Sequence, residues 1–321
     1  MKLLTRLIYE YRLGKIKANF NKSKLQKKAI IISGSPRGGT TWLFEVLQKT
    51  APVFGLWEPL HPIMINEYYP KKSFTFHKYI SQEIKSNELI PYLEDLTKGN
   101  HITTRLLQKN TKFKSYKKQE LLLLKFCRLS PILPWFNKNF NDHKILQLYR
   151  NPLAVVSSQM KHGAWNTFSK KNINKLINKH NYNPEYYAQF QDIFDLISYP
   201  EEVLATVWAL DMIPTINYED KNILKLKYED VFLEPQENFL KIYNHYSLPL
   251  PSNLEAIINK PSSTTKVGSN ILTEPKLQLE TWKKHLNEAQ ANRVKLILSK
   301  FGFNHIQDID YSLKIDRKIK L

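Results

Sequence analysis

The stretch Ala29–Trp42, AIIISGSPRGGTTW, decides the fold. An apolar run, Ala29–Ser33, enters a glycine-rich turn, and a helical pattern follows over Thr41–Lys49. A strand joined to a helix this way aims successive backbone N–H groups at an anion, and the helix N-terminus adds its positive dipole end. Gly38 and Gly39 permit close backbone approach, and the Thr40 and Thr41 hydroxyls add donors. The lettering nearly matches the triphosphate-loop pattern G-x-x-x-x-G-K-[ST]. Gly34, Gly39 and Thr41 fall in place, but Thr40 stands where the lysine belongs, and Arg37 lies two residues before Gly39. That lysine reads β/γ-phosphates beside Mg²⁺, so its loss favours a shorter anion with one transferable group. A glycine-rich turn with no catalytic part is the alternative on this stretch alone.

Four more strands are expected outward from it: Val53–Trp57, Leu121–Phe126, Lys144–Tyr149 and Asn222–Lys227. All but Val53–Trp57 are near-continuous apolar runs, as strands buried on both faces should be. Helical patterns follow at Pro152–Lys161 and Pro235–Tyr246. The alternation predicts an α/β fold, a single domain whose P-loop-like parallel β-sheet is flanked by helices on both faces. Ligands of such sheets sit at the carboxyl ends of the strands. Asn151-Pro152 reads as an N-cap before a first-turn proline. Asn287 with Gln290 reads as a capping box for a helix closed by Gly302. The expected layout is a basic amphipathic N-terminal segment (1–28), the enzyme domain (29–303) and a basic tail (304–321). Within the domain, residues 163–199 are polar and rich in Asn, Lys and Tyr, which suits a solvated insertion or an acceptor-binding lid.

The 321 residues are 42% hydrophobic, in the globular range, and carry 48 Lys+Arg against 29 Asp+Glu, a net charge of +19. Such an excess suits a nucleotide, an acidic glycan, a nucleic acid or a lipid surface, or else lysines spread over a solvated surface. The single cysteine, Cys127, excludes an intrachain disulfide and a Cys-based metal site, and it fits a reducing compartment. No apolar run approaches the ~18 residues of a membrane span. Leu3, Leu4, Leu7, Ile8 and Tyr11 share one helical face, which would pack on the domain or attach peripherally to an anionic membrane.

A second anion site is written in KILQLYRNPLAVVSSQM, Lys144–Met160. Arg150 ends a strand, and Ser158 lies eight residues on, two turns into the next helix. An arginine and a hydroxyl at a strand's carboxyl edge suit a separate phosphate, if this strand neighbours the first. Two anion subsites in one crevice favour a nucleotide with phosphate at both ends of its ribose.

SGSPRGGTTWLFEVL followed by LQLYRNPLAVVSS resembles the sulfotransferases that use 3′-phosphoadenylyl sulfate (PAPS), a family with a 5′-phosphosulfate loop and an R-(x)₇-S element for the 3′-phosphate. LKYEDVFLEPQENFLKIYNHYSLP and TWKKHLNEAQANRVKLILSKFGF extend the resemblance over most of Ala29–Phe303. It implies a PAPS donor and no metal. Arg37 would sit beside the leaving oxygen, and Gly38, Gly39, Thr40, Thr41 and Trp42 would form the phosphosulfate loop. Arg150 and Ser158 would hold the 3′-phosphate, with Tyr228 near the adenine. Lys266 and Gly268 loosely match a late element that closes over the 3′-phosphate. The cytosolic small-molecule branch places a catalytic histidine where this chain has Cys127 and Arg128. WEPLH, Trp57–His61, and LLKFCRLS are closer to the carbohydrate branch, in which a glutamate is the plausible base. Glu58 is then the expected base and His61 its runner-up; the structural alternative pairs Glu58 with Arg128 or Lys125.

The expected activity is sulfuryl transfer from PAPS to a hydroxyl of a carbohydrate or glycolipid acceptor. The enzyme would be cytoplasmic, with peripheral membrane contact as an option and nucleic acid not expected as partner. Two rivals come from other classes. A nucleotide kinase or NTPase with a degenerate loop requires Mg²⁺. A basic nucleic-acid-binding protein requires affinity that falls steeply with salt.

Overall fold

The computed structural model describes residues 11, 14, 29–69, 79–85, 88–107, 121–163, 165, 173, 184–258, 263, 275–307 and 310–321. Elements along the chain are β1 (Ala29–Gly34), α1 (Thr40–Thr50), β2 (Val53–Trp57), α2 (Pro62–Tyr68), α3 (Leu89–Thr97), β3 (Leu121–Phe126), α4 (Leu133–Asn139), β4 (Lys144–Tyr149) and α5 (Pro152–His162). Then come α6 (Pro184–Ala188), α7 (Gln191–Leu196), α8 (Pro200–Ile216), β5 (Ile223–Lys227), α9 (Tyr228–Leu233), α10 (Pro235–Tyr246) and, last of the longer helices, α11 (Glu288–Lys300).

The strands form one parallel sheet of five in the order β2-β3-β1-β4-β5. Side chains alternate across it. Ile30, Ile32, Leu123 and Leu146 bury one face against Leu43, Phe44 and Leu47 of α1 and Phe239, Ile242 and Tyr243 of α10. Ile31, Leu122, Leu124, Phe54 and Leu56 bury the other against Tyr92, Leu93 and Leu96 of α3 and Trp135 and Phe136 of α4. Each such aliphatic side chain contributes roughly 1.5–3 kcal/mol. With both faces covered, β1, β3 and β4 read as near-continuous apolar runs, as expected, whereas the edge strand β5 is only half-buried and alternates apolar residues with Lys225 and Lys227, unlike the expected run.

β1 is central, with β3 on one side and β4 on the other. Ser33 is level with Phe126, and Gly34 with Leu148, so the loops after β1, β3 and β4 open at one height. That junction is where a doubly wound sheet binds ligands. Asn151 caps α5 as expected, its side chain accepting from Leu153 N–H at 2.9 Å, and this fixes where the chain leaves Arg150. The Asn287–Gln290 capping box and Gly302, at φ 95°, bound α11.

Two regions differ from a surface reading. α8 is buried almost throughout, including Glu201, Glu202 and Asp211, and packs with α5 and α11 in a third cluster. Its charges are matched rather than solvated: Arg293 Nε donates to Glu201 at 2.8 Å, and Glu202 accepts from Tyr199 N–H at 2.9 Å. The stretch 184–197 is not a solvated insertion. Tyr186, Tyr187, Phe190, Ile193, Phe194 and Ile197 are core residues of that same cluster. The N-terminal segment lies outside the described residues, apart from Tyr11 and Gly14.

Candidate active site

The loop after β1 is tightly formed. Gly38 N–H donates to Ser35 O at 2.9 Å, while Arg37 and Gly39 take left-handed conformations at φ 69° and 90°. A non-glycine residue there is uncommon and is held by its surroundings. Glycine at 39 is also required by space, since a Cβ would lie 2.3 Å from the Tyr228 ring. Gly39 gives α1 no side-chain cap, so the first-turn amides point into the crevice as anion donors.

Arg150 enters this crevice from the end of β4. Its Nη1 donates to the Arg37 carbonyl at 2.9 Å, and its guanidinium lies 4.6 Å from the centre of the Tyr228 ring. Arg37 Nε donates to Ser158 Oγ at 3.0 Å, and Gln159 Nε2 to Pro36 O at 3.1 Å. The structure therefore brings Arg37, Gly38, Gly39, Thr40, Arg150, Ser158 and Tyr228 together. Burial, then the neighbouring Arg150 charge, lowers the pKa of Arg37. Ser35 Oγ and Arg150 Nε are buried without a hydrogen-bond partner. Adjacent cations with unmet donors are what a multiply charged anion needs.

Trp42 lies behind the crevice: its indole packs edge-on to Tyr228, at 5.8 Å, and to Phe239, at 5.7 Å, and donates to Ile258 O at 3.2 Å, so it braces α1 against the Tyr228 ring. Thr41 is half-buried beside it in the first turn of α1. Lys266 and Gly268 lie outside the described residues.

Across β3, Glu58 leaves β2 in a left-handed conformation, φ 49°, with its N–H bonded to Lys125 O at 2.8 Å. Its buried carboxylate pairs with Lys125 Nζ, with Arg128 Nη1 at 3.2 Å and with Cys127 N–H at 3.1 Å. Burial favours the neutral acid, but the two cations outweigh it and hold Glu58 below the ordinary carboxylate range. Burial likewise opposes charge on Lys125, yet the Glu58 carboxylate, charged and hydrogen-bonded to it, holds it above the ordinary lysine value. The structural alternative for Glu58 is met with both partners, Lys125 and Arg128, at once.

His61 caps α2: its Nδ1 accepts from Ile63 N–H at 3.2 Å, which places the proton of the neutral ring on Nε2. Burial and Arg128 lower its pKa. Cys127 is pushed up by burial and by Glu58, so it is a thiol. Its sulfur accepts from Lys125 Nζ at 3.0 Å and lies 3.5 Å from Thr40 Oγ1. The Glu58 cluster and the β1 loop thus meet at Cys127. Sequence reasoning gave Lys125 no role of its own, although a single lysine in LLLLKF, a strand buried on both faces, was a signal.

The sulfotransferase domain family matches residues 27–302. The chain belongs to the sulfotransferase family and is an enzyme of the PAPS-dependent class. No curated protein sequence matches it. Among solved structures it is similar to the sulfotransferase domain from the curacin biosynthetic pathway, with 18% identity and a TM-score of 0.42 over 85% of this chain and 98% of that one. The sulfotransferase domain of the Synechococcus PCC 7002 olefin synthase shows 16% identity and a TM-score of 0.45, over 86% and 98%. A mouse sulfotransferase, SULT7A1, complexed with PAP shows 13% and 0.39, over 89% and 88%.

Proposed function

We propose that the protein transfers the sulfuryl group of PAPS to a hydroxyl of a carbohydrate or glycolipid acceptor, with Glu58 as general base. The observation that carries the donor half is the convergence of Arg37, Arg150 and Ser158 on the α1 N-terminus. The unmet donors Ser35 Oγ and Arg150 Nε fit a nucleotide phosphorylated at both positions. When bound, the donor supplies a sulfuryl group on a good leaving phosphate. Loop amides and Arg37 stabilise charge on that phosphate as its bond to sulfur breaks and the acceptor oxygen bonds to sulfur. Glu58 takes the hydroxyl proton, and adenosine 3′,5′-bisphosphate departs. Glu58 fits this role better than His61: the one acceptor nitrogen of the neutral imidazole is taken by Ile63 N–H, whereas each carboxylate oxygen has two acceptor sites and Oε1 takes a bond from Lys125.

The acceptor class rests on WEPLH and on the chain's net charge of +19, which would favour an acidic glycan. A cytoplasmic location, with the segment 1–28 resting on a membrane, belongs to the same proposal. Among the described residues no helix is long and apolar enough to cross a membrane. Lys266 and Gly268 are proposed to close over the 3′-phosphate.

The test is calorimetric titration with adenosine 3′,5′-bisphosphate in EDTA, then transfer of radiolabelled sulfate from PAPS to a panel of glycans and glycolipids. Metal-free binding and a labelled glycan are expected. Binding of ATP–Mg²⁺ as tightly as the bisphosphate would overturn the donor assignment, and label only on non-sugar alcohols or phenols would overturn the acceptor class.

A further inference from the structure

Beyond the family match, residues 303–307 and 310–321 pack back on the domain. Ile306 and Tyr311 form an antiparallel bridge, and Ser312 N–H donates to His305 O at 2.9 Å. Arg317 fastens the far end, its two terminal nitrogens each 3.1 Å from an Asp192 oxygen, with a further bond to Gln189 O at 2.8 Å. Leu313, Ile315 and Ile319 pack on the core cluster of α5, α8 and α11. This strap is a fixed part of the domain.

At its inner edge the strap meets the residues that frame Arg150. Tyr311 is 1% exposed, and its hydroxyl donates to Glu229 Oε2 at 3.1 Å. The other Glu229 oxygen accepts the Asn151 N–H at 3.0 Å. The Asn151 side chain reaches the strap in turn, Nδ2 donating to Gln307 O at 2.7 Å while its oxygen caps α5. Lys227 holds Tyr311 in place, donating to its carbonyl at 2.7 Å and lying 4.7 Å from its ring centre. Asn151 follows Arg150 directly, and Glu229 follows Tyr228, on whose ring the Arg150 guanidinium rests. The backbone on both sides of the Arg150 contact is therefore tied, through one buried carboxylate, to a hydroxyl from outside the matched domain.

We propose that Tyr311 and Glu229 are positioning residues for Arg150, so that the C-terminal strap is a working part of the nucleotide site. Neither touches the nucleotide. They fix the angle at which β4 delivers its arginine, and the inference rests on Arg150 being the 3′-phosphate reader.

Full-length Tyr311→Phe keeps the ring and removes only the hydroxyl. Dissociation constants are measured by calorimetry for adenosine 3′,5′-bisphosphate and for adenosine 5′-phosphosulfate, which lacks the 3′-phosphate, in the wild type and in Arg150→Ala. A roughly five- to tenfold loss for the bisphosphate is expected, with less than a twofold change for the phosphosulfate. The Tyr311→Phe loss should vanish in the Arg150→Ala background, which a merely structural role would not produce. An undiminished loss in that background, or no loss in the wild type, overturns the proposal. If Arg150→Ala itself spares the bisphosphate, the 3′-phosphate reading fails first and the proposal goes with it. Should Tyr311→Phe not fold, Lys227→Gln, which releases the Tyr311 carbonyl, carries the same expectations and the same overturning results.

Discussion

Two buried glutamates stand at the carboxyl ends of the two edge strands, and their surroundings drive them apart. Glu58 follows β2 and Glu229 follows β5, at 8% and 2% exposure. Glu58 is held below the ordinary range, because two cations touching its oxygens outweigh burial. Glu229 is pushed above it, because burial outweighs the nearby Arg150 charge and the neutral donors Asn151 N–H and Tyr311 OH. Depth alone does not set a carboxyl's charge; a cation in direct contact does. One edge of the site therefore keeps its carboxyl charged to lower pH than an ordinary carboxylate, and the other takes up a proton at higher pH.

The largest break in that comparison is Glu58→Gln. It should lower kcat by about 10²–10⁴-fold, the usual worth of a general base, while bisphosphate affinity stays within twofold. Steady-state kinetics with a sulfated-glycan readout, alongside calorimetry, checks both halves. An active variant would leave Glu58 as a purely structural carboxylate.

Lys125→Met asks whether the lysine is what holds Glu58 down. Removing one partner of a buried pair costs about 3 kcal/mol, the low end of the usual range here because Arg128 remains. The sign for Glu58 follows from its depressed value. Its stabilising contribution is present above the ordinary carboxylate range and lost as pH falls through the lower, folded value. Urea melts of the variant between pH 3 and 7 should show a smaller acid loss than the wild type, and the acid limb of kcat should move upward in pH. An acid limb that does not move would assign the depression to Arg128.

Arg150→Ala tests the opposite side of the site. Losing a charge-assisted bond to the 3′-phosphate should weaken the bisphosphate by about 10–100-fold and the phosphosulfate much less. Equal losses would remove Arg150 from that role.

The two sides also differ in how legible they were. Strands β1, β3 and β4 could be read because each is covered on both faces, and the β1 loop could be read because its chemistry is local: glycines, hydroxyls and a helix start within a dozen residues. Arg150 and Ser158 share one strand–helix unit, so their spacing carried them. Glu58 was findable at a strand end, but its grip by Lys125 and Arg128 depends on β2 pairing with β3 across 67 residues. The Glu229–Tyr311 bond spans 82 residues and joins two ordinary-looking segments. α8 escaped for another reason. A helix buried all round has no apolar stripe, and its three acidic residues suggest a solvated face until Arg293 and the Tyr199 amide are seen to match two of them.

Glu229→Gln carries the smallest expected effect and sharpens the comparison most. Glutamine keeps an oxygen for Asn151 N–H and an amide that the Tyr311 hydroxyl can rotate to accept, so the packing persists. What disappears is the titration. A carboxyl whose folded pKa is raised contributes stability that is fully present below its unfolded value and is lost as pH rises through the folded one. The wild type should thus lose a small stabilising contribution as pH rises from the ordinary carboxylate range through the raised folded value, on top of the rising contribution from Glu58, whereas Glu229→Gln should not. The difference should be small, because Arg150 still offsets part of the buried charge. Thermal melts of both proteins in parallel across that range measure it. Parallel stability curves would mean that Glu229 titrates alike in the folded and unfolded chain, with Arg150 and the neutral donors fully offsetting its burial; a wild type that instead gains stability with pH relative to the variant would place Glu229 with Glu58.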